Sequence, residues 1–166
     1  MQPGKMIENP HIRIASPADL EPLLPLIVDW RNMMQRSYPD EETLRSSIEG
    51  MIASSDTEFF LATDDDGKRL GFIQQRCRFS LWLNAPEATL EDLFVETDSR
   101  QMGVGARLVQ FAISRAEEKG CKSIKLDTND RNQEAIRLYK RLGFVSNSTR
   151  FPDSHQLSFE KGLNPK

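Results

Sequence analysis

Long apolar runs are missing from this sequence of 166 residues. Its apolar runs hold only a few residues each, whereas a membrane-spanning helix needs about 20. The first ten residues are largely polar and contain no apolar stretch of signal-peptide length. The sequence therefore predicts a polar tail over residues 1–10 and a domain over residues 11–162, in a cytoplasmic protein with no membrane partner.

Cysteine and histidine are scarce, with two of each. Cys77 and Cys121 lie in apolar segments and belong to no pairing motif, so we expect reduced thiols that fill the core. His11 and His155 stand alone, without the spacing that zinc ligands show. The sequence therefore predicts no metal site.

An excess of positive charge is missing as well. Lysine and arginine number 22 against 25 aspartates and glutamates, for a net charge of −3. Proteins that grip nucleic acid by its phosphates carry clustered positive charge, so no nucleic-acid partner is expected. The hydrophobic content of 38% and the charged content of 28% are typical of a single globular domain at this length.

Hydrophobic periodicity predicts an α/β chain in which helices follow a first strand, strands fill the middle, and helix and strand alternate at the end. Predicted strands cover residues 11–15, 58–63, 70–79, 89–95, 123–126, 144–146 and 156–159. Predicted helices run from Ser16 to a break at Tyr38, and over residues 40–54, 103–119 and 132–142. Residues 64–67 and 84–87 are predicted turns.

The strand predicted over residues 89–95 carries two adjacent carboxylates. Strict alternation places its side chains on two faces: Glu91, Leu93 and Val95 on one, and Leu90, Asp92 and Phe94 on the other. At most one of Glu91 and Asp92 then lines a given site, and a β-bulge could exchange them.

The segment between this strand and the next helix holds two glycines, in the order Arg100-Gln101-Met102-Gly103-Val104-Gly105-Ala106. A helix start carries free N–H groups and a partial positive charge, and glycines let an anion approach the backbone. The pattern therefore predicts a diphosphate site with Arg100 at its rim. The alternative is a plain loop with a glycine-assisted helix start.

Spacing separates this loop from a dinucleotide-binding loop. There the first glycine follows the strand closely and a third small residue comes three positions after the second glycine. Here seven residues separate Val95 from Gly103, and the third position is Leu108. Asp127 does stand where a ribose-binding acid would, but the loop disfavours a nicotinamide cofactor.

Four motifs together resemble the GNAT superfamily of acetyl-CoA-dependent N-acetyltransferases. They are Leu90-Glu91-Asp92-Leu93-Phe94-Val95, Arg100-x-x-Gly103-x-Gly105-Ala106, Asn132-x-x-Ala135 and Leu138-Tyr139-x-x-Leu142-Gly143-Phe144. The resemblance covers residues 59–160, and the first motif looks most like diamine and other small-amine N-acetyltransferases. It implies a single α/β domain with a mixed, largely antiparallel sheet flanked by helices, and acetyl-CoA as co-substrate.

The resemblance also implies roles for individual residues. The backbone of Leu93, Phe94 and Val95 would bind the pantetheine arm and the acetyl group. Backbone N–H groups of the glycine segment would bind the diphosphate, namely those of Gln101, Met102, Gly103, Val104, Gly105 and Ala106. Asn132 would lie beside the pantetheine, Tyr139 would protonate the leaving thiolate, and Glu91 would act as base through a water.

Each of these side chains also has a structural interpretation. Tyr139 lies on an apolar stripe and could be a core aromatic residue. Asn132 could cap a helix, and Asp130 with Gln133 offers a competing cap two residues earlier. Glu91 and Asp92 could be solvated or paired with arginines.

The implied function is direct acetyl transfer from acetyl-CoA to a primary amine of a small molecule, with both substrates bound together. Acetylation of a protein N-terminus or lysine, and a non-catalytic CoA-binding module, are the alternatives. A homodimer is possible by analogy with the family.

By the same resemblance, the acceptor pocket draws on Trp30, Arg31, Met34, Tyr38, Asp40, Glu41, Glu42, Arg78, Trp82 and Phe151. The three consecutive acids could attract a cationic amine, or could serve the first turn of a helix.

Overall fold

The computed structural model of the chain describes residues 10–146 and 161–162. The strands are β1 His11–Ile14, β2 Thr57–Thr63, β3 Arg69–Ser80, β4 Ala85–Val95 and β5 Ser123–Leu126. The helices are α1 Leu20–Met33, α2 Glu41–Ile52, α3 Val104–Glu118 and α4 Gln133–Arg141. Short 3₁₀ turns at Pro17–Asp19 and Thr97–Ser99 precede α1 and α3.

The five strands form one sheet in the order β1-β2-β3-β4-β5. The first three pairings are antiparallel and the β4–β5 pairing is parallel. Because β5 runs parallel to β4, it must be reached by a crossover, and α3 provides it. The predicted mixed, largely antiparallel sheet flanked by helices is confirmed.

Alternating side chains of the strands divide the core into two clusters. One face of the sheet packs against α1 and α2 through residues such as Leu23, Phe72 and Phe94. The other face packs against α3 through residues such as Phe60, Ile73 and Leu108, and part of α4 lies against it. We call these the α1/α2 face and the α3 face.

A β-bulge interrupts β4 at the two carboxylates. Ile73 of β3 lies opposite Leu93, whereas Gln75 lies opposite Leu90, so β4 carries one residue more than β3 over this stretch. Leu90 and Leu93 both pack in the cluster on the α3 face, while Phe94 packs on the α1/α2 face. The prediction that Leu90 and Phe94 share a face is therefore wrong.

The remaining differences concern ends of elements. β4 begins at Ala85, inside the predicted turn over residues 84–87, because the turn is completed earlier, at residues 81–84. Residues 144–146 form no strand, and α1 ends at Met33, ahead of the predicted break at Tyr38. Residues 1–9 of the predicted tail and the strand predicted over residues 156–159 lie outside the described residues.

The two cysteines come close together beside β4. Their Sγ atoms are 3.8 Å apart, and both side chains are free thiols that are half-buried rather than fully inside the core. Among residues 10–146 and 161–162, no group of three or more histidine, cysteine or acidic residues is arranged to hold a metal ion. None of the helices in these ranges has both the length and the apolar character needed to cross a bilayer.

Candidate active site

A cleft of about 560 Å³ opens where the end of β4, the start of α3 and the helix α4 meet. Of the residues predicted from the sequence, these line it: Leu93, Phe94, Val95, Arg100, Gln101, Gly103, Gly105, Ala106, Asn132 and Tyr139. Met102, Val104 and Glu91 do not line it. We call this space the first cleft.

The edge of β4 that borders the first cleft is open. Its parallel pairing with β5 ends at Leu90 opposite Leu126, and within the described residues Leu93–Val95 pair with β3 alone. Backbone N–H and C=O groups on such an unpaired edge can bind an extended ligand as an added strand would. The bulge lies at the point where β4 and β5 separate, just before Leu93, the first residue of β4 that lines the cleft.

The segment before α3 takes a conformation suited to an anion. Gln101 and Gly103 have positive φ angles of 61° and 83°, and a left-handed conformation is costly for a residue with a side chain such as glutamine. Gly103 is the N-cap and provides no side-chain cap. Within the described part of the chain, the N–H groups of residues 104–106 form no hydrogen bond; the helix ladder starts with Arg107 N donating to Gly103 O.

Gly105 lies between α4 and the end of β4, where an added Cβ would make only ordinary van der Waals contacts. A Cβ built there would lie 3.7 Å from Leu138 Cδ2 of α4 and 3.7 Å from Val95 Cγ2 of β4. Val104 is buried, with 1% of its surface exposed, and does not line the cleft, whereas Gly105 and Ala106 do. Free backbone N–H groups at the start of a helix that borders a cleft form a geometry that binds anions.

Arg100 stands at the rim of the first cleft, as expected. Its Nε donates to the Val95 carbonyl oxygen at 3.1 Å, and its Nη2 contacts the Met33 sulfur of α1. The guanidinium therefore joins the glycine segment to the end of β4 and to α1. In this position it holds the segment in place and adds positive charge beside the free N–H groups.

Tyr139 lies on the face of α4 that borders the first cleft. Its ring packs edge-to-face on Phe144, with centroids 5.7 Å apart, and its hydroxyl has no hydrogen-bond partner in residues 10–146 and 161–162. Burial raises the pKa of the phenol above its ordinary value of 10.0, so the group is protonated at neutral pH. Tyr139 is thus both a packed aromatic residue and an available proton donor.

Asn132 caps α4. The Ala135 N–H donates to Asn132 Oδ1 at 3.2 Å, and the residue also lines the first cleft. The competing cap two residues earlier is wrong: α4 starts at Gln133, whose side-chain amide donates to the Asp130 carbonyl oxygen at 2.6 Å. The helix-capping interpretation of Asn132 is therefore confirmed, and a ligand contact would be additional.

The bulge brings both carboxylates of β4 to the α1/α2 face. Trp30 Nε1 of α1 donates to Asp92 Oδ1 at 3.1 Å, and Arg76 Nη1 of β3 lies 3.5 Å from Glu91 Oε1. The prediction that Glu91 and Asp92 face opposite sides of the sheet is wrong. The bulge inserts one extra residue into β4, which shifts the alternation of side chains by one position and leaves these two neighbours on the same face. Sequence reasoning missed the Trp30–Asp92 contact, which joins residues far apart in the chain.

Glu91 lies in a second cleft rather than in the first. This second cleft, of about 350 Å³, lies on the α1/α2 face of the sheet. It is lined by Arg76, Arg78, Phe79, Ser80, Leu81, Trp82, Glu87, Thr89, Glu91 and Lys125. The two clefts share no lining residue, but they approach each other along β4 at the bulge, where Glu91 lines the second cleft and Leu93, two residues later, lines the first.

The other acceptor candidates are dispersed. Trp30 lines the first cleft, Arg78 and Trp82 line the second, and Tyr38 lines neither. Asp40 caps α2: its carboxylate accepts from the Thr43 N–H at 2.8 Å, which lowers its pKa. The helix-start interpretation of the three acids from residue 40 is therefore supported. Phe151 lies outside the described residues.

Comparison with known proteins decides the family. The family model described as Acetyltransferase (GNAT) family matches residues 27–144. The chain belongs to this acetyltransferase family. The family predicted from the four motifs, and with it the acyltransferase class, is confirmed.

Three similar proteins illustrate the range of the family. An uncharacterized N-acetyltransferase of Methanocaldococcus jannaschii is 28% identical over 146 residues, which cover 87% of this chain and 64% of that protein. An aminoglycoside N(6')-acetyltransferase of Stenotrophomonas maltophilia is 25% identical over 139 residues, or 81% of this chain and 86% of that protein. The solved structure of AAC(6')-Iy with a bisubstrate analogue containing CoA superposes with a TM-score of 0.73 at 24% identity, covering 94% of this chain and 99% of that one.

The chain spans just under two thirds of the archaeal relative's length. GNAT-fold acetyltransferases use acetyl-CoA, and the AAC(6')-Iy complex shows a CoA group bound to this fold.

Proposed function

We propose that the protein transfers an acetyl group from acetyl-CoA to a primary amine of a small molecule. The observation that carries the proposal is the meeting of three features in the first cleft. These are the uncapped N–H groups at the start of α3, the unpaired edge of β4 and the phenol of Tyr139. Together they match the three parts of the co-substrate: diphosphate, pantetheine arm and thioester.

The chain's residues fit acetyl-CoA in charge and shape. The N–H groups of Gly105 and Ala106, which line the cleft, offer the diphosphate donors aligned with the helix dipole, and Arg100 adds a positive charge. The open edge of β4 over residues 91–95 offers amide groups to the pantetheine arm. Asn132 and Ala135 of α4 line the opposite wall.

Acetyl-CoA supplies a thioester, whose acetyl group an amine can attack. An alkyl ammonium has a pKa of about 10.4, so the acceptor must lose a proton first, and the proposed base is Glu91 or Asp92 at the bulge, acting through a water. Backbone N–H groups near Phe94 stabilise charge on the carbonyl oxygen. Tyr139 donates its proton to the departing sulfur, which makes transfer direct, with both substrates bound together.

The first test is binding of acetyl-CoA, measured by thermal unfolding with NAD as control. A ligand at 100 times its dissociation constant stabilises the folded state by about 2.7 kcal/mol, which raises Tm by roughly 5–10 °C at this chain length. We expect that rise with acetyl-CoA and none with NAD. No rise with acetyl-CoA, or a rise with NAD, would contradict the cofactor.

The second test removes the proton donor. Tyr139→Phe keeps the ring on Phe144 but removes the hydroxyl, so we expect kcat to fall by about 100-fold, a typical share for general acid catalysis. The acetyl-CoA thermal shift should stay unchanged. Tyr38→Phe is the matched control, because Tyr38 is 71% exposed and lines neither cleft. Unchanged turnover in Tyr139→Phe would show that the thiolate leaves without this proton.

A further inference from the structure

The second cleft carries a charge pattern that does not suit a polycation. Three of its lining side chains are basic, Arg76, Arg78 and Lys125, whereas two are acidic, Glu87 and Glu91. Lys125 Nζ pairs with Glu87 Oε2 at 2.6 Å, and Arg76 lies 3.5 Å from Glu91. The two acids are thus already paired, and the described residues that line the cleft leave one positive charge in excess.

Arg78 is the cation that remains available to a ligand. It is exposed and lines the cleft, and within the ranges described it forms no ion pair or hydrogen bond, although Asp56 lies within electrostatic reach. A guanidinium presents a planar fork of donors that matches a carboxylate or phosphate with two parallel hydrogen bonds. A second ammonium group on an acceptor would be repelled here.

The cleft wall beside Arg78 is apolar. The tip of the β3–β4 connection exposes three large side chains, Phe79, Leu81 and Trp82, the last with 81% of its surface exposed. All three line the cleft. The indole of Trp82 can pack along the aliphatic or aromatic stem of an acceptor molecule while the guanidinium of Arg78 binds the charged end of that molecule.

The second cleft lies close along β4 to the expected point of acetyl transfer. Glu91 lines it, and two residues further along β4 Leu93 lines the first cleft; two residues of extended strand span about 7 Å. Arg78 lies opposite Glu87 in the β3–β4 pairing, which is four residues, or about 13 Å of strand, before Glu91. An amine held at the bulge and an anion held by Arg78 would therefore be several atoms apart in one molecule.

We propose that the second cleft receives the acceptor and selects amines that carry an anionic group several bonds away, with Arg78 as the specificity-determining residue that binds the anion. This inference rests on the proposed acetyl transfer and names its acceptor class. The proposed acceptors differ from the diamines that the motif around Glu91 indicates. The basic side chains that disfavour a diamine lie on β3 and β5, outside that motif.

Three amines of equal chain length test the class: 5-aminopentanoate, pentylamine and 1,5-diaminopentane. Release of free thiol from acetyl-CoA gives kcat/KM for each. We expect 5-aminopentanoate to exceed pentylamine by at least about tenfold and 1,5-diaminopentane to be poorest. Equal values, or a preference for the diamine, would overturn the acceptor class while leaving acetyl transfer intact.

Variants of Arg78 link the preference to this side chain. Arg78→Gln should lower kcat/KM for 5-aminopentanoate about tenfold and leave pentylamine unchanged, whereas Arg78→Glu should favour the diamine. Lys68→Gln is the matched control, because it removes one positive charge from an exposed side chain at the opposite end of β3. An equal effect of Arg78→Gln on all three amines would refute the role of Arg78.

A binding measurement separates this inference from the proposed function. Trp82 lies beside Arg78, so tryptophan fluorescence can follow 5-aminopentanoate and pentylamine without turnover. Saturable binding of the amino acid that weakens about tenfold in Arg78→Gln, but not in Lys68→Gln, supports the anion site even if no thiol is released. Equal binding of both amines contradicts it, and absence of both thiol release and an acetyl-CoA thermal shift contradicts the proposed function instead.

Discussion

One added carbon atom at Gly71 tests the geometry of β4 directly. Gly71 lies on β3 opposite Val95, and a Cβ at this position would lie 2.4 Å from the Phe94 carbonyl oxygen and 3.1 Å from Val95 Cα. Contacts under 3.0 Å are essentially never seen for Cβ atoms. In the Gly71→Ala variant the backbone of β3 or β4 must therefore shift at this point, by about 0.6 Å for the closest contact.

The cost of that separation can be estimated from overpacked cores. Forcing an extra carbon into a packed site costs about 1–3 kcal/mol, and each kcal/mol lowers Tm by roughly 2–4 °C at this chain length. We therefore expect Tm of Gly71→Ala to fall by roughly 2–12 °C. The same shift displaces the backbone of Phe94 and Val95, so acetyl-CoA should raise Tm less in this variant than in the unmodified protein.

Gly50→Ala makes the identical chemical change with the opposite expected sign. Gly50 lies inside α2, and a Cβ there meets nothing within 4 Å. Alanine is favoured over glycine in a helix interior by about 0.5–1 kcal/mol, so Tm should rise and the acetyl-CoA shift should stay unchanged.

The Tm of the variant and its shift with acetyl-CoA test two different statements about β4. A Gly71→Ala variant as stable as the unmodified protein would show that β3 and β4 do not approach as described. A destabilised variant with a full acetyl-CoA shift would show that the end of β4 does not bind the co-substrate.

Two further predictions concern groups away from the clefts. Arg13 donates to both oxygens of Asp19 at 2.6 and 2.5 Å, and these bonds, with others from Ser16, lower the pKa of the buried Asp19 from 3.8 to about 2. The depressed pKa means that the stabilisation is present above about pH 4 and is lost as pH falls towards 2. Asp19→Asn should therefore lower the free energy of unfolding by about 1–2 kcal/mol at pH 7, after allowance for the half-exposed Arg13, and by much less at pH 2. Urea unfolding measures both values, and equal losses at the two pH values would contradict the prediction. The pKa of Cys77 is raised from 9.0 to about 11, mainly by burial and also by the neighbouring Cys121 thiol. Alkylation of Cys77 at pH 8 should therefore be about 100-fold slower in the folded protein than in urea. Mass spectrometry of the labelled peptides measures the two rates, and equal rates would refute the burial of the thiol.

Elements specified by local signals were predicted closely from the sequence. β5 has the predicted bounds, and α2 starts one residue after its Asp40 cap. α3 follows directly after Gly103. A cap, a glycine and helical periodicity each act within a few residues, so a single sequence reveals them. The loop between β4 and α3 was recognisable for the same reason.

The bulge of β4 has no such local signal. Its extra residue is defined by the register against β3, which depends on two clusters packing on opposite faces of the sheet. Alternation alone therefore separated Glu91 from Asp92, although the fold places both on one face. The side chains that contact them, Arg76 and Trp30, come from β3 and α1.

The same bulge accounts for the relation between the two clefts. Because pairing with β5 stops at Leu90, the following residues of β4 expose an unpaired edge to the first cleft. Because the extra residue lies there too, both carboxylates lie on the α1/α2 face of the sheet: Glu91 lines the second cleft next to Arg76, and Asp92 accepts from Trp30 of α1. In the proposed reaction, the base for the amine and the basic site for an anion would thus lie on the side of the sheet that faces the second cleft, and the helix start that binds the diphosphate would lie on the other. The two substrates would then reach β4 from opposite faces of the sheet, and acceptor choice would depend on side chains of β3 and β5.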